Sequence, residues 1–248
     1  MSLASGYRRQ AVWRAWPRIF EALPPLGGQT VLDLGCGVGD QAAELEARGA
    51  RVIGVDGNEE LLSRARARRL AGAEFHRSNL QTLSGLDVTA DGIWSSFAAA
   101  YFPDLPPVLA SWRRRLRPGG WIALTEIDNL FGHEPLGDRT RSLLEAYAAD
   151  AFAAGRYDFH MGGRLPSHLK TSGFTVTREF TVEDLELSFA GPARADVLEA
   201  WSSRFERMPL LRDFCGPEFE PLRRDFLDCL ARADHRSLAT VRSCMAAR

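Results

Sequence analysis

The ten residues from Val31 to Asp40, reading Val-Leu-Asp-Leu-Gly-Cys-Gly-Val-Gly-Asp, constrain the fold more than any other stretch of this chain. A short apolar run ends in three glycines spaced two apart, and helix-period residues follow as far as Gly49. Such a run bounded by turn signals is a buried strand, and glycine at its end admits the backbone dihedrals of a tight turn. The first two glycines let the turn approach a ligand, and the third lets the following helix pack close. Strand, turn and helix in that order open an α/β unit with free backbone N–H groups at the helix start.

The rhythm continues. Arg51 to Val55 reads as a second strand closed by Asp56, and Asn58 is placed to cap a helix carrying Leu61, Leu62, Ala65 and Leu70 on one stripe. Further strands are expected over Ala73 to Arg77, Gly92 to Ser95 and Trp121 to Ile127, with a helix from Asp104 to Leu116. Alternation of this kind produces a mostly parallel sheet covered on both faces. Ahead of it, Val12, Trp13, Trp16, Ile19, Phe20 and Leu23 recur at helical spacing between Tyr7 and Leu23.

After Asn129 the alternation breaks. A long helix is expected from Asp138 to Ala154, then a glycine turn at Gly162-Gly163 and a short helix ended by Gly173, together read as a lid. Phe174 to Phe180 is a sixth strand, Leu185 to Phe189 a further candidate, and helices are expected near Arg194 to Arg207 and Glu218 to Ala231. Ser237 to Ala246 suits a closing strand or a last helix. The chain thus divides into a helical N-terminal cap over 1–28, a core over 29–129, a helical lid or substrate insertion over 130–172, and the rest of the sheet with C-terminal helices over 173–248.

A formal net charge of −1, from 31 basic and 32 acidic residues, supplies no field to attract polyanions, so nucleic acid and membrane surfaces are disfavoured as partners. No run is long and apolar enough to span a membrane, and no targeting segment is evident. The four cysteines, Cys36, Cys215, Cys229 and Cys244, have neither zinc-site spacing nor a disulfide pattern. A cytoplasmic protein with reduced thiols is expected.

Glycine triplets also occur in nicotinamide and flavin enzymes, which typically carry a glycine or alanine one residue after Gly39. Here that residue is Asp40, whose carboxylate would repel a pyrophosphate at the helix start but would tolerate a cationic amino-acid ligand. With these residues the chain resembles the class I S-adenosylmethionine-dependent methyltransferases, particularly the small-molecule branch related to ubiquinone-biosynthesis enzymes. The similarity runs from about Gln29 to Glu126. The resemblance implies an α/β, Rossmann-like, doubly wound, mostly parallel seven-stranded sheet with helices on both faces and a helical lid insertion. It also implies S-adenosylmethionine as cofactor, bound by Gly35, Gly37 and Gly39.

By the same resemblance Asp33 helps hold the methionine amino group, directly or through water, and Asp56 takes both ribose hydroxyls. Gly57 and Asn58 flank the adenine. Strand three of the family normally ends in an aspartate that reads the adenine amino group; here Asn79 stands there, keeping an acceptor oxygen, with Leu80 beside it. Ser95 and Phe97, at the end of strand four, fall on the donor side, and Leu116-Arg117-Pro118-Gly119-Gly120 is a further family mark. Tyr7 and Arg8 resemble the helix that folds over the donor in relatives, where an arginine can pair with the methionine carboxylate.

Methyl transfer from a sulfonium is an in-line displacement, so alignment and exclusion of water carry most of the catalysis, and a base is needed only when the acceptor keeps its proton. Tyr101, Glu126, Asp128, His133 and His160 lie where a base would sit, and Tyr101, His133 and His160 are singled out as catalytic candidates. The Asp128-Asn129 pair invites a magnesium site, but the strand-four partner is serine and the pair lies two residues too far from Gly120, so no metal is expected. The Asn/Asp-Pro-Pro-aromatic motif of DNA amino-methyltransferases is absent after strand four. The expected activity is methyl transfer to an oxygen or nitrogen of a small molecule, with the oligomeric state open. Two other readings stand beside it: a nicotinamide-dependent oxidoreductase, and a catalytically silent S-adenosylmethionine-binding protein.

Overall fold

The structure, a computed structural model, describes residues 13–248. Its centre is a sheet of seven strands: β1 (Thr30–Leu34), β2 (Arg51–Asp56), β3 (Ala73–Arg77), β4 (Ala90–Ser96), β5 (Leu116–Asp128), β7 (Thr175–Val182) and β9 (Thr240–Ala247). Their order across the sheet is β3-β2-β1-β4-β5-β9-β7. All pairings are parallel except those of β9, which runs antiparallel to both β5 and β7. This settles the closing segment as a strand. Val241, Cys244 and Ala246 are buried there, and Thr125 and Ser243 hydrogen-bond across the β5–β9 pair at 3.2 Å. A two-stranded ribbon, β6 (His133–Glu134) with β8 (Arg236–Ser237), lies outside the main sheet.

The strand order reverses at β1, which has β2 on one side and β4 on the other. Loops leaving the carboxyl ends of β1 and β4 diverge there and leave a crevice, the place where open α/β sheets bind ligands. β1 is buried along nearly its whole length, with Val31, Leu32 and Leu34 at 0% exposure, so its apolar run packs against both layers of helices.

Helices α2 (Asp40–Ala47), α3 (Glu59–Arg66), α4 (Leu105–Arg114) and α6 (Met161–Thr171) flank the sheet. Asn58 caps α3, its side chain accepting from the N–H groups of Glu60 at 2.9 Å and Leu61 at 3.2 Å. The helix expected over Tyr7 to Leu23 is shorter among the described residues: Trp13 lies in a turn, Arg14 bridges to Asp184, and α1 (Trp16–Glu21) starts only after them, its Phe20 stacking on Trp94 of β4 with ring centroids 4.6 Å apart. Tyr7, Arg8 and Val12 lie outside the described residues.

The expected glycine turn at Gly162-Gly163 is instead the first turn of α6. A side chain at Gly162 would come within 2.8 Å of the Asp128 backbone nitrogen, so these glycines let the helix lie directly against the end of β5. α6 therefore belongs to the sheet's own covering layer. Leu185 to Phe189 is a turn rather than a strand, because the Asp184 carboxylate accepts from the N–H groups of Glu186 at 2.8 Å and Leu187 at 2.9 Å and curls the chain.

The cap over the sheet comes from two parts of the chain: α5 (Asp138–Ala153) after β5, and α7 (Ala195–Glu206), α8 (Pro209–Cys215) and α9 (Phe219–Leu230) between β7 and β9. Phe131, Phe159, Trp201, Phe205 and Phe226 unite them in one buried cluster. α8 has no counterpart in the expected helices; Met208 caps it and Pro209 opens it, between the two that were expected. Among the described residues no helix is long and apolar enough to cross a membrane.

Candidate active site

A cavity of about 610 Å³ opens at the carboxyl ends of β1 and β4. One wall is the glycine turn. Gly35, Gly37 and Gly39 have φ of 82°, 54° and 79°, the left-handed region that other residues avoid. Their roles differ. A Cβ on Gly35 would fall 2.6 Å from that of Ala98, so this glycine allows the turns after β1 and β4 to touch. A Cβ on Gly37 would meet nothing within 4 Å, which leaves its backbone facing the open cavity. Gly39 precedes α2, and a Cβ there would fall 3.2 Å from Ala65 and from Phe75, the close packing expected of the third glycine.

Asp56 ends β2 at the cavity wall. Its carboxylate accepts from the Gly37 N–H at 2.9 Å and from the Asn58 N–H at 2.8 Å. Asp33 lies behind the same turn, only 2% exposed, and one of its carboxylate oxygens is buried with no hydrogen-bond partner. Burial, reinforced by the nearby Asp56 charge, pushes the Asp33 pKa up to about 8. Asp40 pairs with Arg68, whose guanidinium also donates to the Val38 carbonyl at 2.6 Å, so the acidic start of α2 is neutralised on its outer side. Cys36 packs in the turn beside Gly54, and burial pushes its thiol far up, which removes it from thiolate chemistry.

The opposite wall combines the turn after β4 with the cap. Phe97 lines the cavity with φ of 57°, and the Arg14 guanidinium sits 4.4 Å from its ring centroid. Tyr101 and Tyr157 both line it, their rings edge to face at 5.0 Å. The Asp158 N–H donates to the Ala100 carbonyl at 2.8 Å, which fastens Tyr157 beside the β4 turn. Arg204 and Arg207 reach the cavity from α7 and its C-terminal cap. Glu126 is buried near this wall, one oxygen accepting from the Ala100 N–H at 3.1 Å and the other unpartnered, and burial pushes its pKa up to about 8.

Of the residues singled out in the sequence, Gly35, Gly37, Asp56, Asn58, Leu80, Phe97 and Tyr101 line this cavity. Asn79 does not. It is exposed, and its side-chain oxygen accepts from the Gln81 N–H at 2.8 Å, so the turn after β3 uses the oxygen that was to read adenine. Ser95 points away from the cavity and donates to the Leu34 carbonyl at 2.7 Å; strand alternation turns its neighbour Ser96 to the cavity instead. Gly57 does not line the wall either.

His133 is no catalytic group in this geometry. It is 2% exposed on β6, its ring 3.0 Å from His235 and packed on Trp201 and Phe226, and burial pushes its pKa down to about 3. His160 also stays off the cavity wall, with its ring 3.7 Å from the Asp128 carboxylate at the start of α6. Both follow β5 in the chain, but the path after Asn129 carries them into the cap interior and onto α6. Arg14, Trp16, Tyr157, Arg204 and Arg207 were missed in the sequence. The arginines come from segments far from the glycine turn, and no local motif marks them. Among the described residues no three His, Cys, Asp or Glu side chains converge to hold a metal ion.

An open glycine backbone, an acidic group at the end of β2 and an unpartnered buried carboxylate behind the turn suit a ligand with a sugar diol and a cationic amino group. The comparisons with known proteins agree. Residues 31–120 match the methyltransferase domain family. The chain is 34% identical over 217 residues to nocamycin O-methyltransferase of Saccharothrix syringae, covering 75% of this chain and 72% of that protein. It is 40% identical over 96 residues to a trans-aconitate 2-methyltransferase of Deinococcus radiodurans, covering 38% of this chain and 36% of that one. A solved S-adenosylmethionine-dependent methyltransferase from Mesorhizobium loti superposes with a TM-score of 0.57 at 22% identity, over 94% of this chain and 97% of that chain. Phosphoethanolamine N-methyltransferase 2 of Haemonchus contortus, solved with S-adenosylhomocysteine, gives 0.58 at 18% identity, over 94% of this chain and 53% of that one.

The chain belongs to the class I S-adenosylmethionine-dependent methyltransferases. It is an enzyme whose methyl donor is S-adenosylmethionine.

Proposed function

We propose that this enzyme methylates an oxygen or nitrogen atom of a small-molecule acceptor. The observation that carries this is the joining of two walls in one cavity, with the glycine turn and Asp56 on one side and Tyr101, Tyr157 and Arg204 on the other. When bound, S-adenosylmethionine supplies a methyl group on a positively charged sulfur. Asp56 would take the ribose hydroxyls, the Gly35 and Gly37 backbone would lie along the methionine part, and Leu61, Leu80 and Phe102 would enclose the adenine. Asp33 would face the amino group, directly or through water.

On the cap side the residues orient the acceptor and remove water. Tyr157 has its hydroxyl pushed well above its ordinary pKa by burial and the nearby Glu126, so it stays protonated and serves as a hydrogen-bond donor that fixes the acceptor. Glu126, buried near Tyr157 with its pKa pushed up to about 8, is mostly protonated at neutral pH, so this wall keeps no fixed negative charge beside the acceptor. The relatives named for nocamycin O-methylation and for trans-aconitate support an acceptor of small-molecule size, as does the near-neutral charge of the chain, which offers nucleic acid no basic surface. Four buried free cysteines suit a cytoplasmic setting.

The test is a transfer assay with methyl-labelled S-adenosylmethionine and a pool of small metabolites, alongside calorimetry with S-adenosylhomocysteine. Labelled product from the pool is expected with the wild type and should be lost in D56A. A chain that binds S-adenosylhomocysteine yet labels no small molecule would overturn the acceptor class and favour the silent binding protein.

A further inference from the structure

The cap half of the cavity holds an uneven set of charges. Arg14 is paired with Asp184 at 3.1 Å and Glu186 at 3.6 Å, and Arg204 is paired with Glu186 as well. Both carboxylates have side chains at 0% exposure, so they are spent inside the wall. Arg207 stands three residues beyond Arg204 and also lines the cavity, yet it has no carboxylate partner among the described residues. On the cap side, among the described residues, three guanidiniums thus stand against Asp184 and Glu186, while Asp40 and Asp56 line the opposite wall. Burial also pushes the Asp184 pKa up, against the pull of Arg14. The tyrosines on the same wall bring no negative charge. The two carboxylates are buried while Arg207 is exposed on the rim, so the charge this wall presents to an incoming group is positive and favours an anion.

We propose that the acceptor carries a carboxylate, and that Arg207 and Arg204 form the subsite that holds it. This rests on the reading that the cap half receives the acceptor. Arg204 is already oriented, since Glu186 fixes one side of its guanidinium and the group lies 5.0 Å from the Trp201 ring centroid, so little side-chain freedom is lost on binding. A planar guanidinium matches a carboxylate in two parallel hydrogen bonds, whereas a neutral amide or ester leaves part of the fork unpaired. Arg207, exposed and at the C-terminal cap of α7, supplies the unopposed charge on the rim and can swing to follow the ligand.

The probes are two matched pairs, trans-aconitate with its trimethyl ester and benzoate with benzamide, titrated calorimetrically into the enzyme already saturated with S-adenosylhomocysteine. At least one acid is expected to bind roughly tenfold or more tightly than its neutral partner. R207Q should erase most of that preference while S-adenosylhomocysteine affinity stays within about twofold of the wild type, and R207K should restore part of it. Equal binding of acid and neutral partner, or no binding of either acid, overturns the proposal. An equal loss of S-adenosylhomocysteine affinity in R207Q overturns it too, by assigning the cation to the methionine carboxylate. Failure of the wild type to bind S-adenosylhomocysteine at all would strike the donor-site reading instead, and that titration is read first.

Discussion

The Gly37 N–H donates to the Asp56 carboxylate at 2.9 Å, so the turn after β1 is held by the residue that ends β2. One side chain therefore shapes the loop and presents its other lone pairs to the cavity. D56A should weaken S-adenosylhomocysteine binding by roughly 10- to 100-fold or more, because hydrogen bonds to a charged acceptor contribute about 1.5–3 kcal/mol each. Calorimetry checks the affinity and circular dichroism the fold. Unaltered affinity would remove Asp56 from the donor site.

Gly35→Val should abolish donor binding and lower stability together. The new Cβ would fall 2.6 Å from that of Ala98, at a φ of 82° that a β-branched residue adopts with strain. The obstacle is the β4 turn, whereas the sequence alone pointed to the ligand. A thermal melt within a degree or two of the wild type, with normal binding, would contradict this packing.

Asp33 gives donor binding a pH dependence with a definite sign. Its carboxyl is held protonated up to about 8, and a cationic amino group nearby favours the ionised form. Affinity for S-adenosylhomocysteine should rise with pH toward about 8, by up to roughly tenfold per unit, with a proton released to buffer on binding. In the free protein the raised pKa acts the other way: the unfolded chain loses this proton first, so stability falls as pH climbs from 3.8 to about 8. Asp33→Asn should flatten both trends. Calorimetry in buffers of different ionisation enthalpy reads the proton directly, and no release near neutral pH would refute the assignment.

His133 should matter to the cap and not to turnover. Its pKa falls from 6.5 to about 3 because burial disfavours the charged ring. The unfolded chain takes up a proton below 6.5 while the folded one does not, so cap stability is lost as pH drops from 6.5 toward 3. Melting followed by tryptophan fluorescence should show this acid sensitivity, and a double H133F/H235F variant should lack it. At neutral pH, H133Q that folds should keep methyl transfer within a few-fold. A loss of roughly 100-fold or more with the fold intact would return His133 to the chemistry.

Hydrogen exchange separates the two kinds of helix in the segment expected to be a lid. α6 lies on β5, with Leu165 and Leu169 at 0% exposure, and should exchange as slowly as the central strands. α5 presents most of one face to solvent and should exchange faster in the free enzyme, gaining protection when donor and acceptor analogues bind. Protection of α5 equal to that of α6, unchanged by ligand, would make α5 a fixed wall.

The parts of the molecule that could be read in the sequence are those where local chemistry decides the outcome. The glycine turn, the Asn58 cap and β1 to β4 each depend on residues within a few positions of one another and appear in the structure where expected, while β5 starts at Leu116, ahead of the expected Trp121. The remainder depends on distant packing. Gly162 and Gly163 read as a turn because only the neighbouring β5 backbone explains small residues inside a helix. Asn79 matched its place in the motif, yet its oxygen serves the Gln81 amide. Arg204 and Arg207 enter the cavity only because α7 folds back over the sheet, and nothing in residues 195–207 announces that destination.

The position of β9 bears on how the chain comes to be folded. β7 is joined to the sheet through β9 alone, and β9 follows both of its neighbours in sequence. On a translating ribosome β5 and β7 must therefore wait, each with an open hydrogen-bonding edge, until the strand that fills the gap between them has emerged. Such waiting edges are where intermediates associate wrongly. Arg178 and Glu179, both exposed on β7, put charge on that strand during the interval in which it is most open to a stray partner.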